Sequence, residues 1–205
     1  MRQVHITRNT NEVKISGKLA IDGSGEARVS TGIEPLNHLL TLWAFHGFFD
    51  LELEARGDLQ HHLIEDIGIA LGKAFARALG EKEGIRRYGS FSLVMDEVVV
   101  EVNIDISGRP VLHGGVIAEQ KEEIMRVLEQ EKFDDTSFTF THIQEFLHGF
   151  VQHAGLSVVY VVKSGPGDLH HLLEALCKAM GKALDEATQI DPRRKGVPST
   201  KGIID

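Results

Sequence analysis

Two segments of the chain are nearly copies of each other. Residues 57–75 read GDLQHHLIEDIGIALGKAF, and residues 167–184 read GDLHHLLEALCKAMGKAL. Both run from Gly-Asp-Leu through a His-His-Leu-x-Glu motif to Gly-Lys-Ala, and one extra residue, Gln60, is the only difference in length. A repeat of this length with paired histidines indicates gene duplication. We therefore predict two similar half-folds at about 1–92 and 93–190, followed by a basic tail at 191–205.

Hydrophobic periodicity predicts a similar order of elements in the two halves. Alternating apolar residues predict strands at 3–8, 13–21, 26–30, 49–55, 91–106, 111–117 and 156–163. A helical period predicts helices at 35–48, 59–79, 142–154 and 169–189, and 119–131 is a charged amphipathic segment. Asp58 is a plausible N-cap, and the Asp-Gly-Ser-Gly segment at 22–25 predicts a tight turn between two strands. The fold class is therefore α+β, with helices covering the sheet faces.

The repeated His-His-x-x-Glu motif has the geometry of a metal-binding helix. Successive helical residues are about 100° apart, so the first histidine and the glutamate share a face while the second histidine diverges. One helix can thus offer His61 and Glu65 to one ion and His62 to another, and the same holds for the second copy. Imidazole with carboxylate suits Mn, Fe, Co, Ni or Zn. A lone His-x-x-x-Glu pair is usually a surface ion pair, but two copies in a duplicated frame indicate metal binding.

Composition excludes several other classes of function. The net charge of -8, from 22 basic and 30 acidic residues, argues against a broad nucleic-acid or anionic-membrane surface. No apolar run approaches the roughly 18 residues of a membrane span, and the N-terminus lacks the apolar core of a signal peptide, so we expect a cytoplasmic protein. The single cysteine, Cys177, cannot form an internal disulfide and lies in an apolar helical stretch, so we expect a packed core thiol.

Further motifs surround the duplicated one. In chain order they are RNTNEV (8–13), STGIEPLNHLL (30–40), FHGFFDL (45–51), the first His-His motif, GIRRYG (84–89), MDE (95–97), DISGRP (105–110), the second His-His motif and VPSTKG (197–202). From residue 8 to the end, their order and spacing resemble the imidazoleglycerol-phosphate dehydratase family. Two His-His-x-x-Glu motifs flanking SGRP and followed by STKG form a specific signature.

The resemblance implies a fold, an assembly and a reaction. The fold is a duplicated half of a four-stranded sheet and two helices, with the halves packed as one unit. Members are trimers assembled into 24-subunit shells, with two manganese ions in each active site between neighbouring subunits. The reaction is the loss of water from imidazole glycerol phosphate to give imidazole acetol phosphate in histidine biosynthesis, without a redox cofactor.

The resemblance also implies roles for individual residues, carried over by motif. Glu12 matches the acid/base glutamate, whereas Asp96 and Glu97 match an acidic pair to which we assign no role. The residues matching the phosphate-binding set are Arg87, Arg109, Ser199 and Lys201, with His46 near them. The residues matching metal ligands are His38, His61, His62, Glu65, His170, His171 and Glu174.

The chain departs from the family pattern near the metal ligands. About three residues are missing before His61, and Asn37 stands where the family has aspartate. The strand before the second motif usually carries a histidine ligand, and Val159 stands in its place. Asp168 or Tyr160 could supply a shifted ligand.

These departures keep other functions open. One is a related di-metal lyase or hydrolase acting on another phosphorylated metabolite. A second is a metal-binding shell protein without turnover. A di-iron helical bundle also uses paired glutamate and histidine, but the many alternating segments argue against a bundle.

Overall fold

The computed structural model describes residues 1–204, which form two four-stranded sheets and five helices. The elements of the first half are β1 (Gln3–Asn9), β2 (Val13–Ala20), β3 (Ala27–Ser30), α1 (Glu34–Gly47), β4 (Asp50–Gly57) and α2 (Gln60–Leu79). Those of the second half are β5 (Tyr88–Met95), β6 (Val98–Asp105), β7 (Val111–Val116), α3 (Lys121–Gln130), α4 (Phe140–Ala154), β8 (Ser157–Ser164) and α5 (Leu169–Thr188). Within residues 1–204, no helix has both the length and the apolar character needed to cross a membrane.

The two sheets have the same topology, as duplication requires. Their strand orders are β1-β2-β4-β3 and β5-β6-β8-β7. In each sheet the first three strands are antiparallel, and the fourth, which is third in the sequence, is parallel to its neighbour. The predicted α+β class is confirmed, and two sheets exclude the helical bundle. The boundary near residue 92 stays a prediction, although the second sheet already begins at Tyr88.

The turn predicted at 22–25 does not join paired strands. β4 lies between β2 and β3, so the segment crosses an intervening strand. Asp50, at the start of β4, organises it: one carboxylate oxygen accepts hydrogen bonds from the backbone amides of Ser24, Gly25 and Glu26. The sequence predicts the turn but not this arrangement, because local turn chemistry does not reveal that a strand from later in the chain will insert between β2 and β3.

Three other local predictions need correction. The segment 91–106 is two strands joined by a turn at Asp96, whose φ of 49° is left-handed. The amphipathic segment is the helix α3, so the second half has three helices. Leu59, not Asp58, is the N-cap of α2, and the Asp58 carboxylate instead accepts a hydrogen bond from the amide of Leu59.

The helices form the middle of the molecule. α2 packs on β1 and β2, α5 packs on β5 and β6, and the halves meet where α1 packs on α5 and α2 packs on α4. Glycine permits close approaches at these crossings: a Cβ at Gly181 would lie 2.5 Å from the carbonyl oxygen of Trp43, and one at Gly72 would lie 2.5 Å from that of Phe150. These crossings decide which side chains of the two halves can touch.

Cys177 lies inside α5 and is 4% exposed. Burial raises the pKa of its thiol to about 12, so the reactive thiolate is scarce near neutrality. We expect no labelling of the native protein by iodoacetamide at pH 8 and complete labelling after denaturation, measured by mass spectrometry. Rapid labelling of the native protein would contradict this packing.

Candidate metal centre

Three potential metal ligands from distant parts of the sequence meet where α1 packs on α5. The ligand atoms of His38, His170 and Glu174 all lie within 4.8 Å of one another. Glu174 Oε1 is 2.5 Å from His38 Nε2 and 2.8 Å from His170 Nε2. In the part of the chain that the structure describes, no other group of three such side chains has this spacing.

The start of α5 sets the orientation of the second motif. Asp168 is the N-cap, and its carboxylate accepts a hydrogen bond of 2.7 Å from the amide of His171. The helix therefore begins immediately before the paired histidines. His170 and Glu174 are four residues apart and lie on one face, as predicted from the sequence.

The third ligand comes from the other half of the fold. α1 begins with Pro35 in its first turn, where proline is tolerated, and His38 follows on the same helix. The close approach of Trp43 to Gly181 fixes α1 against α5. His38 therefore reaches Glu174 across the boundary between the two halves.

The electrostatic surroundings keep Glu174 ionised. Burial alone would raise the pKa of its carboxyl, but hydrogen bonds from Lys178, His38 and His170 outweigh that effect and lower the pKa to about 2. Lys178 Nζ donates to Glu174 Oε2 at 2.5 Å. An ionised carboxylate beside two imidazoles is a donor set that suits divalent first-row transition metals.

The first motif is more open. His61 and Glu65 are exposed at the start of α2, and the rings of His61 and His62 are 4.2 Å apart. His62 Nδ1 lies 3.0 Å from Asp58 Oδ1 and 3.9 Å from Glu12 Oε2. The hydrogen bond to Asp58 raises the pKa of His62, and the nearby charge of Glu12 adds to this rise. Their metal binding stays a prediction, since a single chain does not gather them into a cluster.

His171 lies apart from the cluster. Its Nε2 is 3.6 Å from Asp96 Oδ2, and its Nδ1 is 3.6 Å from Asp168 Oδ1. The hairpin turn of β5 and β6 thus comes close to the second motif. The ligand role of His171 stays a prediction.

Arg87 joins the body of the fold to the C-terminal tail. Its guanidinium donates to both oxygens of Asp105, at 2.6 and 3.1 Å, and to the carbonyl oxygen of Pro198 at 2.9 Å. Its side chain is 12% exposed. Because Pro198 immediately precedes Ser199, the structure brings two of the predicted phosphate-binding residues into the same region.

The other predicted phosphate-binding residues occupy exposed loops. Arg109 lies between β6 and β7, where Ser107 and Ser157 hydrogen-bond its carbonyl oxygen. Lys201 donates its backbone amide to Ser199 Oγ in the tail. Their phosphate-binding roles stay predictions.

His46 lies at the end of α1, close to α5. Partial burial lowers the pKa of His46, and the charges of Lys178 and Lys182 lower it further. The ring is therefore a neutral imidazole at pH 7 beside two cations, a region that can attract an anion.

Val159 points away from the metal cluster. It is 38% exposed on the face of its sheet opposite to the buried Val158 and Tyr160, and α5 packs on the buried face. Its register neighbours are Asn103 and His113. A ligand at position 159 would therefore lie on a surface turned away from this cluster. Of the two suggested substitutes, Tyr160 is buried on the opposite face and Asp168 caps α5.

Three residues in the site were missed by sequence reasoning. Lys178 follows Glu174 by one helical turn, and this spacing could have identified it. Asp58 and Asp134 lie within hydrogen-bond distance of His62 and His170, respectively. The spacing of four residues between Asp58 and His62 was a usable signal, whereas nothing in the sequence connects Asp134 to His170.

Duplicated α+β halves with a histidine and carboxylate cluster at their junction define a candidate metal-dependent enzyme. A sequence model described as imidazoleglycerol-phosphate dehydratase matches residues 31–184. The imidazoleglycerol-phosphate dehydratase of Syntrophobacter fumaroxidans is 44% identical over 99% of this chain and 98% of its own length. That of Citrifermentans bemidjiense is 46% identical over 99% of each chain.

Comparison with solved structures gives the same result as the sequence comparisons. The crystal structure of the dehydratase from Staphylococcus aureus has a TM-score of 0.75 at 31% identity, covering 92% of this chain and all of that one. The enzyme from Pyrococcus furiosus gives the same TM-score and identity, with 97% of this chain and 99% of that one covered. The chain belongs to the imidazoleglycerol-phosphate dehydratase family, and the assignment made from sequence motifs is confirmed.

Proposed function

We infer that this chain is a hydro-lyase that converts imidazole glycerol phosphate to imidazole acetol phosphate in histidine biosynthesis. Family membership over the whole length supports the reaction. The observation that carries the proposal is the junction of His38, His170 and Glu174, because it places metal-binding groups where the two halves meet. The cytoplasmic location stays a prediction from the sequence.

The metal would be manganese, with two ions in each active site. His38, His170 and Glu174 would hold one ion, and a bound divalent metal would supply Lewis-acid polarisation of the substrate's imidazole ring. The exposed ligands His61 and Glu65 need partners from elsewhere. We propose that a neighbouring subunit of a homo-oligomer completes their site, as the resemblance to trimer-based 24-subunit shells implies.

The reaction needs a group that moves protons, since one carbon loses a proton and its neighbour loses a hydroxyl. Glu12 is suited to this role because its side chain is 55% exposed and lies beside His62 in the first motif. A single carboxylate can protonate the departing hydroxyl and take up the carbon-bound proton at different stages.

The phosphate would be bound at the end of the substrate opposite to the imidazole ring. Arg87 and Arg109 offer planar guanidinium groups that match phosphate oxygens, and Lys201 offers a point charge. Ser199 adds a hydroxyl donor, and the neutral ring of His46 can add another. The contact between Arg87 and the Pro198 carbonyl oxygen supports a role for the tail in closing over the phosphate.

Glu12→Gln tests the proton-transfer role. We expect turnover to fall by about 100- to 10,000-fold, the usual contribution of general acid–base catalysis, with unchanged Mn(II) binding because Glu12 is not a proposed ligand. Steady-state assays and metal titration of the same preparation separate the two effects. Glu26→Gln, at another exposed glutamate, is the control and should have normal turnover. Normal turnover of Glu12→Gln would remove Glu12 from the reaction.

A further inference from the structure

The loop at 131–139, which joins α3 to α4, contacts the second metal-binding motif and the residue that precedes the first. Phe133 stacks on the His170 ring, with centroids 4.3 Å apart and planes inclined by 21°. Asp134 lies beside the same ring. Ser137 Oγ donates to Gln60 Oε1, next to the first motif, at 3.4 Å. The loop is therefore placed to influence the metal ligands, although it contains none of the proposed ones.

The contact between Asp134 and His170 involves a specific nitrogen. His170 Nδ1 is 3.0 Å from Asp134 Oδ1 and 3.1 Å from Oδ2, whereas Nε2 on the other side of the ring is 2.8 Å from Glu174 Oε1. A carboxylate only accepts hydrogen bonds, and a neutral imidazole has one N–H. Donation from Nδ1 to Asp134 leaves Nε2 as the nitrogen that faces the cluster, where a bound metal ion would take the place of the proton that Nε2 shares with Glu174.

The loop is shaped so that this contact is held. Phe133 is 4% exposed, and its amide donates to the carbonyl oxygen of Phe138 at 2.8 Å. A β-bridge between Lys132 and Thr139 closes the base of the loop. Asp134 has a left-handed backbone with φ 49°, a conformation that aspartate tolerates better than most residues.

The two His-His-x-x-Glu motifs differ in whether a carboxylate contacts their first histidine. His61, the repeat mate of His170, makes no hydrogen bond to a carboxylate among residues 1–204, whereas His170 has Asp134 on one side and Glu174 on the other. The duplication therefore does not account for Asp134. It comes from a loop whose preceding helix, α3, has no counterpart in the first half.

We propose that Asp134 is a positioning residue that fixes the tautomer and ring orientation of His170 for metal binding, with Phe133 supporting the ring face. This inference rests on the proposed function, because it requires that His38, His170 and Glu174 bind a metal. Carboxylates that hold the far nitrogen of a ligating histidine typically account for about 10- to 100-fold in metal affinity. We expect a loss of this size in Asp134→Ala.

The test is a Mn(II) titration of the metal-stripped, full-length protein, with free Mn(II) measured by electron paramagnetic resonance. Asp134→Ala should bind the ion of this cluster about 10- to 100-fold more weakly than the parent protein. Asp134→Asn, which keeps an acceptor oxygen, should restore part of the affinity. Asp135→Ala removes the adjacent exposed carboxylate and should bind normally.

Two further outcomes separate a positioning role from a structural one. Asp134→Gly removes the carboxylate but suits the left-handed backbone, so it should keep the thermal stability of the metal-free protein and still bind Mn(II) weakly. Normal affinity in both Asp134→Ala and Asp134→Gly would overturn the inference while leaving the proposed function intact. Failure of the parent protein to bind Mn(II) would instead overturn the proposed function.

Discussion

Glu174→Gln is expected to remove Mn(II) from the cluster and to lower turnover by more than about 100-fold. Loss of an outer partner of a ligating histidine alone costs about 10- to 100-fold in affinity or activity, and Glu174 is itself a proposed ligand. Its Oε1 atom lies within hydrogen-bond distance of both His38 and His170. An amide keeps the size of the side chain but loses the charge that attracts a divalent ion.

Metal content and turnover should be measured on the same preparation. Glu122→Gln, at an exposed position on α3, makes the same chemical change away from the cluster and should leave both quantities unchanged. The melting temperature of the metal-free protein shows whether Glu174→Gln is folded. A folded Glu174→Gln protein with normal metal content and turnover would exclude Glu174 as a ligand.

Gly181→Val is expected to destabilise the protein by about 3 kcal/mol or more, the upper range for overpacking. A Cβ at this position would lie 2.5 Å from the carbonyl oxygen of Trp43 and 3.0 Å from the amide nitrogen of Gly47. Both atoms belong to the backbone of α1, so no side-chain rotation can relieve the overlap. α1 must move away from α5, and His38 moves with it away from Glu174.

The free energy of unfolding is measured by urea titration, and Mn(II) affinity is measured on the fraction that stays folded. Gly115→Val is the matched control, because no atom lies within 4 Å of a Cβ there and valine suits a β-strand. We expect the control to stay within about 0.5 kcal/mol of the parent protein. Equal stabilities of the two variants would show that the crossing of α1 and α5 is looser than described.

The sequence was most informative where the pattern is local or repeated. The copied His-His-x-x-Glu segments predicted two similar halves, and the identical strand orders of the two sheets confirm that prediction. The placement of His170 and Glu174 on one face followed from helix geometry alone. The bounds of α1, α2, α4 and α5 agree with the predicted helices to within two residues.

Contacts between residues that are far apart in the sequence could not be predicted in the same way. His38 and Glu174 are 136 residues apart, and their contact depends on the close approach of two helices at Gly181. The insertion of β4 between β2 and β3 and the contact of Asp134 with His170 depend likewise on tertiary packing. Hydrophobic periodicity reports which face of an element is buried, but it does not report which element covers that face.

The sequence also could not predict which of the proposed metal ligands come together. The geometry of one chain gathers His38, His170 and Glu174 but leaves His61 and Glu65 exposed. Val159 lies on an outer sheet face, so the departure at that position concerns a surface turned away from this cluster. Sequence motifs can identify ligand types, but the tertiary structure is needed to show which ligands come together.

The most direct test of the account is a turnover assay on the metal-stripped protein. Imidazole acetol phosphate formation from imidazole glycerol phosphate is followed before and after Mn(II) is added back. We predict negligible product without metal and restored turnover with Mn(II). The absence of product from folded, assembled and metal-loaded protein would contradict the proposed dehydratase and leave a metal-binding protein with another role.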